Sequence, residues 1–357
     1  MRKSLLINLY KLKNTNCGLG QVSLNYGKYL EENYHRDDHD FDIYLLLPKK
    51  YIGQFGDQVR YIRATWWRRL FPFLMPKFTV WHSTYQMANF WPFYKETKVI
   101  LTIHDFNFIY EKSKMKSGMY LRRIRKEIKN ATRIIAISEF TRNETMQYAN
   151  VDGDDIKIVY NGVENIVDNE TSIHHGIDDK KSFFFTIGQI KEKKNFHTLI
   201  PVMKYFPDVN LYIAGQKNTD YAARLEAEIA DLGLRNVILL GEVTESEKVW
   251  LYRHCKAFFF PSLFEGFGLP VIEALSFGKP VFSSNQTSLK EIGQDCVYYW
   301  ENFDPEYMFQ VVNKNLTEFY DTLQKGAEAK EHAAQFSYEA HFKKYFAIYN
   351  ECLSSVN

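Results

Sequence analysis

Short apolar runs alternate with amphipathic stretches along the whole chain, and their order carries the first structural information. Leu5–Tyr10, Phe41–Leu47, Val59–Ile62, Val80–Ser83, Val99–Ile103, Arg133–Ile137 and Ile156–Val159 read as strands. Helical periodicity falls between several of them, at Gln21–Glu32, Met119–Asn130 and Glu139–Ala149. Such alternation predicts a doubly wound parallel α/β sheet. Residues 166–181 are polar and charged without a hydrophobic period, which predicts a linker. The pattern then restarts with strands at Phe183–Ile187, Val209–Ala214, Val237–Leu240, Ala257–Phe260, Val281–Ser284 and Cys296–Tyr299. Pro305–Leu323 and Tyr338–Leu353 are expected to be helical. Two α/β domains are therefore expected, at 1–165 and 182–335, followed by a helical segment at 336–357.

The most informative stretch is Ala257 to Ser284, AFFFPSLFEGFGLPVIEALSFGKPVFSS. A buried strand leads into a loop that sets Glu265 beside Gly266, Phe267, Gly268 and Leu269. Pro270 suits the start of a helix, where its missing N–H costs nothing, and that helix is expected to run to Gly278. Strand–loop–helix–strand units place ligands at the carboxyl end of the first strand, by the helix N-terminus. Glu265 and Glu273 are separated by seven residues, and Glu273 is expected in the first helical turn. Two acceptor-only carboxylates beside a phosphate-attracting helix end suit a nucleotide sugar, which combines phosphate with many hydroxyls. Taken singly, Glu273 could equally complement the helix dipole, and Glu265 could be a solvated loop residue.

The run E-G-F-G-L-P-V-I-E-A-L, preceded by P-S and followed by G-K-P-V, resembles the E-x7-E signature of retaining GT-B glycosyltransferases, closest to glycosyltransferase family 4. The resemblance implies two Rossmann-like domains facing a central cleft, with the final helix crossing back to the first domain. It also implies that Glu265 holds hydroxyls of the donor sugar and Glu273 those of the ribose. Gly18 and Gly20, in N-C-G-L-G-Q, match the family's glycine loop, although a plain tight turn explains them as well. His104, ending V-I-L-T-I-H-D beside Asp105, matches a histidine that contacts the donor sugar near its anomeric centre. His82 and Asp105 are placed on the acceptor side. Ser138 reads as a helix cap and Asn161-Gly162 as a turn.

In F-F-F-T-I-G-Q-I-K-E-K-K-N the positions Gly188, Lys194 and Asn195 match the family, with Lys194 on the diphosphate. Gln189 stands where the family has an arginine, and a neutral amide lacks that residue's charged, bidentate contact. Lys191 or Lys193 could compensate. G-E-V-T-E-S-E-K resembles the loop that receives the base, with Val243, Glu245 and Lys248 close to it. A carboxylate there matches guanine's adjacent N–H donors, which favours a GDP-sugar over a UDP-sugar. D-G-D at Asp152–Asp154 spells a metal-binding D-x-D but falls in a helix-to-strand connection, so it reads as a turn and no metal is expected.

Composition narrows the remaining classes. A net charge of +2 gives no reason to expect nucleic acid, and 45% hydrophobic residues exclude a disordered chain. Cys17, Cys255, Cys296 and Cys352 lack C-x-x-C spacing, which suggests reduced thiols in a cytoplasmic protein; Cys17, beside the glycine loop, could be reactive. No run of 18 apolar residues is present to span a bilayer. A nicotinamide oxidoreductase is disfavoured because N-C-G-L-G-Q-V-S lacks the third glycine of its fingerprint.

The expected function is transfer of a hexose, mannose favoured over glucose or N-acetylglucosamine, from a nucleotide-sugar co-substrate to a saccharide or lipid-linked acceptor. No resident cofactor is expected. A nucleotide-sugar epimerase or hydrolase, or a non-catalytic scaffold, are the rivals. Finally, Ala64 to Phe78 and the basic stretch Lys112–Lys129 mix aromatic and cationic residues. They suit the anionic inner face of a membrane, or else a packed core and an ordinary solvated helix face.

Overall fold

Parallel strands β1 (Lys3–Asn8), β2 (Phe41–Leu47), β3 (Arg60–Arg63), β4 (Val80–Ser83), β5 (Lys98–Ile103), β6 (Arg133–Ala136) and β7 (Ile156–Ile158) form one sheet, ordered β3-β2-β1-β4-β5-β6-β7. Between them lie α1 (Gly18–Asn33), α2 (Trp66–Leu70), α3 (Phe108–Glu111), α4 (Lys114–Lys129) and α5 (Glu139–Ala149). The chain is described by a computed structural model over residues 2–15 and 18–354. It divides into two units, the first comprising the described residues up to Gly162 together with those from Tyr338 onward.

Register assigns the two faces of this sheet. Leu6 pairs with Trp81, Ser83 with Leu101, and Leu101 with Ile134, so these side chains share a face. The β1–β4 part of that face is covered by Met75, Phe78 and Phe90, and the β5–β6 part by Ile124 and Ile128 of α4. The opposite face carries His82 and Thr102, which meet tyrosines from the last helix. Helix α4 begins at Lys114, a turn earlier than periodicity suggested, because Met115 and Met119 in its first turns are exposed and leave no apolar signal.

The second unit, Val163–Ser337, repeats the scheme with β8 (Phe183–Ile187), β9 (Asn210–Ala214), β10 (Val237–Gly241), β11 (Ala257–Phe260), β12 (Val281–Ser284) and β13 (Val297–Trp300), ordered β10-β9-β8-β11-β12-β13. Its helices are α6 (Leu199–Val202), α7 (Asp220–Asp231), α8 (Glu245–His254), α9 (Leu269–Ser276), α10 (Leu289–Gly293), α11 (Pro305–Asp321) and α12 (Lys325–Ala334); α13 (Tyr338–Ser354) belongs to the first unit. Phe184, Phe259, Phe282 and Trp300 are fully or almost fully buried on one sheet face. Burial of each such side chain contributes roughly 1.5–3 kcal/mol, enough to hold the strands in one register.

The stretch expected to be a linker packs onto this second unit. Asp178 N–H donates to the Tyr212 hydroxyl at 2.8 Å, Ser172 and Ser246 hydroxyls lie 2.7 Å apart, and Arg253 reaches the Asn169 carbonyl at 3.2 Å. A polar segment without hydrophobic period can be ordered by side-chain hydrogen bonds, a signal that periodicity does not carry.

Strand order reverses direction between β8 and β11 in the second unit and between β1 and β4 in the first. In open parallel sheets, ligands bind at the carboxyl ends of strands beside such switch points.

Candidate functional site

At the β8/β11 switch point, the carboxyl ends of both strands deliver charged side chains to one place. After β8 the chain makes a tight turn, Glu192–Lys194, closed by Asn195 in the left-handed conformation at φ 59°, which asparagine tolerates better than most residues. That turn brings Lys194 Nζ to 2.5 Å from Glu265 Oε1, and Ser262 Oγ donates to the same oxygen at 2.7 Å. Lys194 is buried, with Nζ 4.7 Å from the centre of the Phe260 ring. An ion pair this enclosed holds each partner in one orientation, and removing either charge leaves the other uncompensated.

The Glu265 loop is held in turn by Thr287, whose Oγ1 accepts the Glu265 N–H at 3.1 Å, and by Ser288, whose hydroxyl reaches the Glu265 carbonyl at 2.9 Å. Gly266 and Gly268 are buried here, and Phe267 turns its ring into the core against Phe336, with centroids 5.7 Å apart. Gly268 has φ 104°, and a Cβ at that position would lie 2.6 Å from Leu289 Cδ2, so both conformation and space require glycine. It caps α9, whose first residue is the half-buried Leu269, with Pro270 second.

Glu273 is thus the fifth residue of α9 and lies beyond its first turn, contrary to expectation. Its surroundings come from α8 rather than from the helix dipole. Tyr252 hydroxyl donates to Glu273 Oε2 at 2.8 Å, and Lys248 Nζ lies 3.5 Å from Oε1 and 2.8 Å from Glu245 Oε2. Burial pulls the Lys248 ammonium down, but the Glu273 and Glu245 carboxylates outweigh it and hold the group above its ordinary range. Burial beside Glu273 likewise drives the Tyr252 hydroxyl well up, so it stays a donor. Lys248 and Glu273, expected as separate base and ribose contacts, are one network. Glu245, Lys248 and Tyr252 follow helical spacing on one face of α8, the signal by which Tyr252 was detectable in the sequence.

Val243 is half-buried in the loop before α8, and Glu245 is exposed apart from its bond to Lys248. Gly188 directly follows β8; a Cβ on it would come within 3.1 Å of Lys194 Cε. Gln189 is half-buried beside it.

In the first unit, the β1/β4 switch point gathers Asn8, Thr84 and His104. Thr84 hydroxyl donates to the Asn8 carbonyl at 2.6 Å, and His104 Nε2 lies 2.8 Å from the Thr84 carbonyl. A carbonyl can only accept, so His104 is protonated at Nε2, and Nδ1 carries its lone pair. Burial lowers its pKa to about 4, against the bond to Thr84, so the ring is neutral. Asp105 Oδ1 accepts the Asn107 N–H at 3.0 Å and turns the chain after β5. Near it, burial lifts the Glu144 carboxyl to about 7, against a bond from the Tyr110 hydroxyl.

His82 does not line an open surface. It is fully buried beneath α13, with Nδ1 2.7 Å from the Tyr349 hydroxyl and Nε2 2.9 Å from Thr102 Oγ1. Its place at a strand end suggested a site, but its side chain falls on the face that α13 covers. Gly18 and Gly20 begin α1; a Cβ on Gly20 would meet the Asn14 carbonyl oxygen at 1.8 Å, whereas Gly18 has open space. Cys17 lies outside the described residues. Asp152 Oδ1 accepts the Asp154 N–H at 3.2 Å in a tight turn between α5 and β7. Among the described residues, no group of three or more His, Cys, Asp or Glu side chains is arranged to hold a metal ion.

Two parallel α/β sheets, each gathering polar and charged side chains at its switch point, define a two-unit doubly wound class, and comparison with known proteins gives the family. Residues 24–165 match the Glycosyltransferase Family 4 pattern and residues 167–339 match Glycosyl transferases group 1. The chain belongs to this glycosyltransferase family and has the GT-B fold. It is 29% identical over 227 residues to the O-antigen chain mannosyltransferase RfbU of Salmonella typhimurium, covering 63% of this chain and 62% of that protein. It is 30% identical over 231 residues to the serotype-specific mannosyltransferase WbdA of Escherichia coli, covering 59% of this chain but 28% of that protein. The chain thus spans less than two thirds of the length of either relative. Among solved structures, Anabaena Alr3699/HepE in complex with UDP and glucose superposes with a TM-score of 0.73 at 17% identity, over 100% of both chains. A glycosyltransferase from Rickettsia africae superposes at 0.74 with 15% identity, over 99% of both.

Proposed function

We propose that this chain is a retaining, metal-independent hexosyltransferase that moves mannose from GDP-mannose to a saccharide or lipid-linked acceptor in cell-surface polysaccharide synthesis. The observation that carries the proposal is the Lys194–Glu265–Ser262 cluster at the β8/β11 switch point, one helix N-terminus away from the Glu273–Lys248–Tyr252 network. The mannosyltransferase relatives support the sugar. Glucose and N-acetylglucosamine are the alternative sugars, and UDP, present in the HepE complex, is the alternative nucleotide. Glu265, Gly266 and Leu269 would face the donor, with Glu265 on its sugar hydroxyls, Glu273 on the ribose and Val243 on the base. Glu245, exposed in the α8 first turn, has a free oxygen for the N–H groups of guanine.

In the reaction, the bond between the anomeric carbon and the diphosphate breaks, and the leaving oxygen keeps its electron pair. The acceptor hydroxyl forms the new bond on the same face and passes its proton to that leaving oxygen. Lys194 and the N-terminus of α9 offset the charge that develops there, a role that is worth about 100-fold or more in rate for comparable groups. Neutral His104 would contact the sugar as a hydrogen-bond acceptor through Nδ1. The enzyme would act in the cytoplasm, and a lipid-linked acceptor would bring it to the inner face of the membrane.

A panel of GDP- and UDP-sugars tests this, first by thermal shift and then by transfer in the presence of EDTA, with the product anomer read by NMR. GDP-mannose is expected to stabilise the chain most and to yield a product of retained configuration. An inverted product, or activity lost to EDTA and restored by Mg2+, would refute the mechanism. Sugar released or isomerised at full rate without acceptor would favour a hydrolase or epimerase.

A further inference from the structure

A surface feature left unexplained by that chemistry lies between β3 and β4. Thr65 caps α2, and Met75 and Phe78 anchor the far end of the segment in the core with Leu6, Leu46, Ile62 and Trp81. The residues between the anchors do not enter that core. Trp66, Trp67, Phe71 and Phe73 are 40–57% exposed, as is Phe93 from the β4–β5 connection at 56%. Their rings make one continuous ridge. Trp66 stacks on Trp67 at 3.5 Å, Trp67 on Phe71 at 6.0 Å, Phe71 meets Phe73 at 5.8 Å, and Phe73 meets Phe93 at 6.2 Å. Leu70 and Leu74 extend it, both at least half exposed.

Single exposed apolar residues need no explanation, but a contiguous aromatic ridge that is held at both ends and turned outward marks an interaction surface. Its neighbourhood tells what it fits. The anchors of the ridge, Met75 and Phe78, and the helix α4 cover adjacent parts of the same sheet face, and the segment between β4 and β5 joins them. Phe90 packs with the anchors Met75 and Phe78, Phe93 of the same segment meets Phe73, Trp91 packs against the α4 cluster, and Arg123 of α4 donates to the Ala88 carbonyl at 2.6 Å. Helix α4 carries seven basic residues and one acid, and that acid, Glu127, is buried and bonded to Arg123 and to the Met87 N–H. Lys114, Lys116, Arg122, Arg125, Lys126 and Lys129 are exposed, and Met115 and Met119 lie exposed among them. Arg68 and Arg69 directly follow the tryptophans.

We propose that this face docks on an anionic bilayer leaflet, the aromatic ridge entering the boundary between headgroups and acyl chains while α4 lies along the headgroups. Tryptophan and phenylalanine with lysine and arginine on one face match that environment chemically. The amphipathic indoles favour the boundary, and the cations favour the negative surface potential. The charge favours lipid over a second copy of this chain, because the same face would bring like charges together in a symmetric pair. The proposal gives a site to the membrane encounter suggested above, yet it stands apart from the donor chemistry, since lipid binding needs neither donor nor acceptor.

The test is co-sedimentation of the full chain with vesicles of phosphatidylcholine alone or with phosphatidylglycerol added, at low and high salt. The wild type should pellet with phosphatidylglycerol vesicles and be released by salt. A Trp66→Ser/Trp67→Ser/Phe73→Ser variant should lose binding by at least about tenfold, as expected from the buried apolar area removed. A Lys116→Glu/Lys126→Glu variant should lose the dependence on phosphatidylglycerol. All of these residues are exposed, so unchanged melting temperatures are expected and verify folding. Binding that is indifferent to both variants, or equal recovery in the supernatant with both vesicle types at low salt, would overturn the proposal. So would a dimer in sedimentation velocity that the aromatic variant dissolves without any lipid binding. If the chain binds lipid but transfers no sugar, the docking surface stands and the proposed activity falls.

Discussion

Glu265 and Glu273 look alike in the sequence but are held by different chemistry. Glu265 is neutralised by one buried lysine and a serine hydroxyl, and its loop is tied to the α10 end of the unit. Glu273 shares its lysine with Glu245 and takes a further bond from Tyr252. Lys248 is therefore a positioning residue for Glu273. A Lys248→Met variant should weaken GDP binding by about tenfold or more, the range for a lost charged hydrogen bond of roughly 1.5–3 kcal/mol. Because the effect runs through the ribose contact, 2′-deoxy-GDP should bind the variant and the wild type about equally in calorimetric titrations. Equal losses for both nucleotides would show that Lys248 acts elsewhere. Glu265→Ala should instead abolish transfer while leaving GDP affinity nearly intact. Of these pairings the sequence shows only the carboxylates, because Lys194 and Glu265 are 71 residues apart and only the strand order brings them together.

At the scale of elements, most strands and long helices lie within a residue or two of the hydrophobic pattern, because a parallel strand buried on both faces leaves a short apolar run that is hard to mistake. Glycine positions are less transparent, since the same letter serves different ends. At Gly20 a Cβ would collide with the Asn14 backbone, whereas at Gly18 it would meet nothing within 4 Å. Gly20→Ala should therefore destabilise the chain by roughly 1–3 kcal/mol, the usual cost of overpacking against atoms that cannot give way. Gly18→Ala should change stability by less than about 0.5 kcal/mol, so any loss it causes should show in KM or kcat. Urea unfolding of the two variants decides this, and equal destabilisation would refute it. The course of α2 was the least legible element. Trp66 and Trp67 carry the composition of a core segment, and the core is completed without them by Met75, Phe78 and Trp81.

At the scale of the molecule, the first unit buries several titratable groups whose balance sets its response to acid. Burial lowers His104 and His341 each to about 4, and His82 well below its ordinary value. These rings are neutral in the native state and take up protons readily only when unfolded. Their stabilisation is therefore fully present above pH about 6.5 and is lost as pH falls towards 4, on the order of 3 kcal/mol for each of the two. Glu144, raised to about 7, and Glu127, also raised by burial, act oppositely and favour the folded state at lower pH, but two carboxyls do not offset three histidines. Unfolding free energy should thus fall between pH 6.5 and 4. A His104→Gln/His341→Gln variant should show a shallower fall across that window in urea titrations, and an unchanged slope would contradict the assignment.

What the sequence determined by itself was whatever depends on neighbours in the chain: the alternation of strands and helices, the two sheets, and the loop and helix that carry Glu265 and Glu273. A residue's local pattern reports which of its faces is apolar, but not which distant element covers that face. Tertiary structure alone decided that α13 closes over His82, that the polar stretch after Val163 packs onto the second unit, and that Lys248 of α8 belongs to Glu273 of α9. It also left the aromatic ridge uncovered beside α4. Each of these outcomes depends on strand order and on the space left after the core is filled, and neither is encoded within a few residues of the side chain concerned.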